Sequence, residues 1–309
     1  MDYSKIKLDN ERNAHVTKRL NRLSTWGFFK VLYRDNLWRL FGFSILMILC
    51  VVPIIAMFYL GYADNATLQR ELPMLNTVGF STGVWDGVED VYNSGVLINN
   101  YKSGLWAALA AGLFAVVFSG GFAVIRDAFW TGKLSAVGVL KSMWKGFCAN
   151  ILYALASALL LGFTAYGLFA FYTWASGTME TWLAIVLLVL LCIVALFFAM
   201  YLMILCSVSV TYKQSFKQNL SDSWLLMWMN VVPNIVHFVL MFAPVGLYFL
   251  FGGGMLFSIY MVLVLMFGGM YVPLVWQTHM MKTFALFHPV EARKKGQAKA
   301  KAEADEVQA

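Results

Sequence analysis

Charge is scarce in this chain: Asp, Glu, Lys and Arg fill 13% of its 309 positions, and hydrophobic residues fill 61%. A soluble domain carries about 25% charged residues, so a water-surrounded globule is excluded as the ordinary reading. Cysteine is also sparse. Cys50, Cys148, Cys192 and Cys206 lie in or beside apolar runs without CxxC spacing, which supports neither a disulfide framework nor a zinc site. They read as packing thiols, since buried cysteine behaves as a small hydrophobe. The first 36 residues are polar and charged, with no early apolar core of a cleaved secretory signal, so the first span is expected to act as the targeting signal. No GxxxxGK[ST], HExxH, GxSxG or dinucleotide fingerprint occurs. An enzyme of familiar motif type is not expected, no cofactor is implied, and ATP would have to be used by a partner.

What the chain has in abundance is long apolar runs, with a mean hydropathy of +0.69. A helix needs about 20 mostly apolar residues to cross the hydrocarbon core. Six stretches qualify: Leu37–Leu60, Leu105–Phe129, Phe147–Tyr172, Trp182–Val208, Val232–Phe251 and Met255–Val275. Only Gly252, Gly253 and Gly254 separate the last two, a turn that forces an antiparallel hairpin. Backbone groups must be satisfied internally in lipid, so the expected fold is all-α: a polytopic helical bundle of six transmembrane helices. The chain divides into a polar segment 1–25, a membrane domain 26–285 and a tail 286–309 that reads as disordered and basic.

Lysine and arginine set the orientation. Nine fall in the segment through Arg39, four around Arg126, Lys133, Lys141 and Lys145, two at Lys213 and Lys217, and six from Lys282 to Lys301. That places 21 of 23 on one side, with Arg70 and Lys102 on the other. Both termini are therefore expected in the cytoplasm, facing the anionic lipids of the membrane's inner surface. The net charge of +7 suits that surface better than nucleic acid, because the basic residues flank apolar runs. Tryptophans near the span ends, such as Trp26, Trp106, Trp182 and Trp228, read as the interfacial belt.

Three basic amphipathic segments precede the odd-numbered spans, and each ends at an asparagine. They are Trp26–Arg34 before Asn36, Val139–Phe147 before Asn150, and Tyr212–Trp228 before Asn230. Such helices lie at the headgroup boundary. The chain thus reads as three units, each an interfacial helix, an Asn and a two-span hairpin. Internal repeats are common in transport proteins, and duplication produces them elsewhere too.

Ionisable groups at membrane depth are functional candidates by default, and few exist. Arg126 and Asp127 fall near the inner end of the second span, where local pairing or snorkelling is the plainer reading than a ligand role. Arg39, one turn into the first span, reads as a snorkelling residue. His237, in the fifth span, reads as a hydrogen-bonded packing residue before a proton relay. On the opposite side, the segment Gly61–Gly104 carries Asp86, Glu89 and Asp90, three carboxylates close enough for a divalent cation or a cationic ligand. A solvated loop over the bundle mouth is the simpler expectation there.

Asn36-Leu37-Trp38-Arg39-Leu40, the end Cys50-Val51-Val52-Pro53-Ile54, Asp127-Ala128-Phe129-Trp130 with Met143-Trp144-Lys145-Gly146-Phe147, and Tyr212-Lys213-Gln214-Ser215-Phe216 together carry a likeness. They resemble the opening span, inner connection and pre-fifth-span helix of the bacterial YesL-like family, over residues 26–285. The long outer segment and charged tail depart from that family's pattern. Members are often encoded beside carbohydrate-uptake ABC transporters in Gram-positive bacteria. The resemblance implies a non-enzymatic accessory or regulator of such uptake, with ABC permease or nucleotide-binding subunits as partners. It carries over no functional residues. A secondary transporter or channel for a small solute, and a structural or lipid-organising protein, are the other readings the residues allow.

Overall fold

In a computed structural model, which describes residues 24–76, 82–131, 136–212, 214–243 and 270–284, the chain is all-helical. In chain order, α1 spans Thr25–Asn76, α2 Thr82–Ala110, α3 Phe114–Thr131 and α4 Ala136–Ala149. Helix α5 spans Ile151–Thr178, α6 Thr181–Thr211, α7 Phe216–Met229 and α8 Val231–Met241, and α9 covers residues 270–284. A short 3-10 turn, Ala111–Leu113, joins α2 to α3.

Three stretches among the described residues are long and apolar enough to cross a membrane: Asn93–Ala128, Ile151–Ala175 and Thr181–Thr211. Counting α7 with α8 as one broken span makes four. The three coincide with the expected second, third and fourth spans. The fifth is described only to Ala243, and the sixth lies outside the described residues up to its last turns, as does the Gly252–Gly254 turn. The tail 286–309 and residues 1–23 also lie outside them.

Two expectations are corrected. The outer segment Gly61–Gly104 is not a loop: α1 continues to Asn76 and α2 starts at Thr82, so both arms are helical. Ala63, Ala66, Leu68, Gln69 and Glu71 are good helix formers, and helix propagates readily from turns already formed. The two arms run antiparallel and meet closely. A Cβ on Gly61 would lie 2.3 Å from Ser103 Oγ, so only glycine fits there, and Asn65 Nδ2 donates to Asn100 Oδ1 at 2.9 Å. At 52 residues α1 is about 78 Å long, against about 30 Å of hydrocarbon.

The second correction concerns the repeated unit. Asn150 and Asn230 do interrupt the helix, with φ/ψ of −131°/22° and −127°/36°. Asn36, in contrast, sits inside unbroken α1. An asparagine side chain competes for backbone hydrogen bonds but breaks a helix only where packing rewards the bend. The reward is visible at Asn230, where α8 leaves α7 at 92° and the turn is held by tertiary hydrogen bonds.

The core lies toward the basic ends of the helices. It gathers Phe122, Ala123, Val124 and Ile125 of α3, Met200 to Tyr212 at the end of α6, Leu226 and Met227 of α7, and Leu274, Trp276, Met280 and Phe284 of α9. Small residues let backbones approach, as membrane helices require when lipid offers no hydrophobic drive. A Cβ on Gly162 would sit 2.5 Å from the Ala108 carbonyl oxygen, which binds α5 to α2. Buried hydroxyls on α6 return to their own helix: Ser207 donates to Met203 O at 3.0 Å and Thr211 to Ser207 O at 2.7 Å.

Candidate functional site

Two polar clusters occupy the basic half of the bundle. The first joins α3, α4 and α6. Arg126 donates to Asp127 Oδ1 from Nε at 2.9 Å and from Nη2 at 2.7 Å, and its Nη1 donates to Val210 O at 2.5 Å. Ser142 of α4 donates to the other Asp127 oxygen. Val210 is in the last turn of α6, where carbonyls lack intrahelical donors and the helix dipole favours a cation. Arg126 therefore caps α6, and Asp127 holds both the cap and the amphipathic helix α4. The expected local pairing is what the structure shows.

The second cluster was only partly legible. His237 is the hydrogen-bonded packing residue expected, and what the sequence does not show is its partner. Its ring stacks on that of His279 with centroids 4.0 Å apart and planes 12° from parallel. His279 Nε2 meets Asn234 Oδ1 at 2.8 Å, while Asn234 Nδ2 donates to Leu226 O at 3.2 Å and Met227 O at 3.3 Å. Carbonyls only accept, so the two bonds to α7 fix the amide orientation and leave Oδ1 to accept from His279 Nε2–H. His237 Nδ1 lies 2.8 Å from Pro233 O, which makes Nδ1 its protonated nitrogen. The last-turn carbonyls of α7 are thus satisfied by α8, and α8 is pinned by α9.

Helix α9 presents an unusual run. Trp276, Gln277 and Thr278 are fully buried, and Trp276 Nε1, both ends of the Gln277 amide and Thr278 Oγ1 find no hydrogen-bond partner among the described residues. Each such group costs about 1–3 kcal/mol when buried. Helical register places Gln277 on the face of Met270, Pro273 and Phe284. Their neighbours are the Ser44 hydroxyl (3.1 Å from Met270 N), Gly121 with Phe43, and the Tyr212 ring (centroids 5.1 Å from Phe284). Gln277 thus sits amid α1, α3 and the end of α6. The register-related opposite face, with Tyr271, Val275 and Thr278, borders a cleft of about 510 Å³.

That cleft is also lined by Ser24, Thr25, Trp26 and Phe29 at the start of α1 and by His237 and Leu240 of α8. Trp26 and Phe29 stack at 4.8 Å, and Phe29 meets Tyr271 edge-on at 6.1 Å. Tyr271 OH donates to Leu240 O at 3.0 Å, and Ser24 Oγ accepts from Gly27 N at 3.0 Å as the N-cap of α1.

The remaining candidates fall elsewhere. Arg39 lies within α1 and Asp86, Glu89 and Asp90 within α2, but their side chains lie outside the described residues. Among the described residues no group of three or more His, Cys, Asp and Glu comes together. Sequence reading passed over Asn234, Gln277, Thr278 and His279. The available signals were the i, i+3 spacing of Asn234 and His237, and a Gln-Thr-His run directly after an apolar span that carries Pro273.

The fold and these clusters define a class: an all-helical protein with several helices suited to crossing a membrane, whose polar groups knit its basic half together. Compared with known proteins, the chain matches no family model, no curated protein and no solved structure. The likeness to the YesL-like family rests on the residues quoted for it.

Proposed function

We propose that the chain is a non-enzymatic accessory or regulatory protein of a bacterial plasma membrane, serving carbohydrate uptake by an ABC transporter. In this reading it has six spans in three hairpins, with both termini in the cytoplasm. The observation that carries it is the elbow between α7 and α8. A basic-ended amphipathic helix, held at 92° to the following span by Asn234 and His279, turns Phe216, Trp224, Leu225, Trp228 and Met229 outward. A helix so fixed at the membrane surface supports docking by the inner parts of a permease or by its nucleotide-binding subunit. The choice of a carbohydrate transporter comes from the family resemblance.

The experiment is co-purification of the tagged chain in mild detergent, paired with sugar uptake in a deletion strain. Recovery of a permease or nucleotide-binding subunit, with uptake reduced, is the expected result. A chain that stays alone and leaves uptake unchanged sinks the reading. A second reading, a secondary transporter or channel for a small solute, is favoured by the buried Gln277 amide, which has no hydrogen-bond partner among the described residues. Solute flux in proteoliposomes decides between the two.

A further inference from the structure

We propose that the cleft between the start of α1, α8 and α9 binds one anionic phospholipid, its acyl chain along the aromatic wall and its head group at the first turn of α1. The inference stands apart from the accessory reading, because it concerns what occupies this protein and not what it docks to.

The shape and chemistry of the wall select the occupant. The volume of about 510 Å³ falls within the roughly 300–1,000 Å³ usual for ligand sites. Trp26, Phe29, Leu240, Tyr271 and Val275 make most of the surface apolar. The polar groups are few: the Ser24 and Thr25 hydroxyls and the His237 ring. A sugar would leave most of its hydroxyls unpaired against such a wall, a costly desolvation. An acyl chain loses nothing there.

In a bilayer the tail alone gives no preference, since lipid is as apolar as the cleft. The head group must supply it. Ser24 caps the N-terminus of α1, where unsatisfied N–H groups and the helix dipole favour an anion. One turn on, the exposed Lys30 ammonium lies 5.7 Å from the Trp26 ring that lines the cleft. One lysine and one helix N-terminus together support a preference of about fivefold to thirtyfold for an anionic over a zwitterionic head group.

The test uses the full chain purified in mild detergent, with phosphatidylglycerol and phosphatidylcholine added in equal amounts and the complexes weighed by native mass spectrometry. The expected result is one retained phosphatidylglycerol, favoured at least fivefold. Lys30→Glu should bring the two lipids to parity. Leu240→Trp, a half-exposed position that fills the cleft, should abolish retention while size exclusion and melting show the fold intact. Glycerol phosphate should fail to displace the lipid and lysophosphatidylglycerol should succeed, which separates a phospholipid site from a simple phosphate site. Equal retention of both lipids by the unaltered chain overturns the proposal. So does unchanged retention in folded Leu240→Trp, and so does an absence of retained lipid, whether the cleft is empty or filled by residues 1–23. Loss of partner co-purification with lipid retention intact would instead count against the accessory reading alone.

Discussion

The two halves of α6 have similar composition and opposite surroundings. From Trp182 to Val194 the helix exposes Trp182, Ile185, Val186, Val189, Leu190 and Val194, the last at 65%. From Met200 to Thr211 nearly every side chain is buried, with Ile204 and Val208 at 0%. Hydropathy does not separate them, because a side chain in lipid and one in a protein core have left water equally. The difference lies in what touches them: the buried half meets α3, α7 and α9, and the exposed half has no such neighbours in the core. Polar groups follow the same division. Arg126, Asp127, Asn234 and His279 all act on the buried side, where they close the open ends of α6 and α7.

That contrast can be broken at its most sensitive point first. Ile204→Ala should cost about 2–5 kcal/mol, because a packed core does not refill the lost volume. Unfolding followed by circular dichroism in detergent would show it, and a change below 1 kcal/mol would mean this half is not a packed core. Arg126→Ala should come next, at about 1–3 kcal/mol, since it removes the forked donor to Asp127 Oδ1 and the guanidinium that caps the Val210 carbonyl. A Lys at 126 should rescue only part of that loss, because it cannot make the forked contact.

Asn234→Leu should cost about 1–2 kcal/mol and loosen the elbow, since Leu226 O, Met227 O and His279 Nε2 all lose a partner. Faster amide exchange at the end of α7 would mark the loosening, and unchanged exchange would mean the elbow is held by apolar packing. Val194→Ala should be nearly silent, within about 0.5 kcal/mol. If it matched Ile204→Ala in cost, the exposed half would have to be an interface and not a lipid face.

Much of the architecture was readable because the membrane imposes it. The spans at Leu105–Phe129, Phe147–Tyr172 and Trp182–Val208 needed only run length, and the pairing of Arg126 with Asp127 followed from adjacency. The second cluster was harder. His237 and His279 are 42 residues apart in sequence, and nothing in either neighbourhood announces a ring placed 4.0 Å from its partner. The helical arms of the segment Gly61–Gly104 were missed for a different reason. Their polar residues read as solvated loop, yet polarity does not oppose a helix whose first turns are already formed earlier in α1.

Composition and run length by themselves determined that this chain is helical and suited to lipid, because unpaired backbone groups there cost more than any side-chain preference. Charge placement set its expected orientation. Tertiary structure alone decided which apolar faces meet protein, which asparagine bends its helix and which histidines stack. Those outcomes depend on contacts between segments far apart in the chain, and a local pattern of hydropathy carries no record of its neighbour.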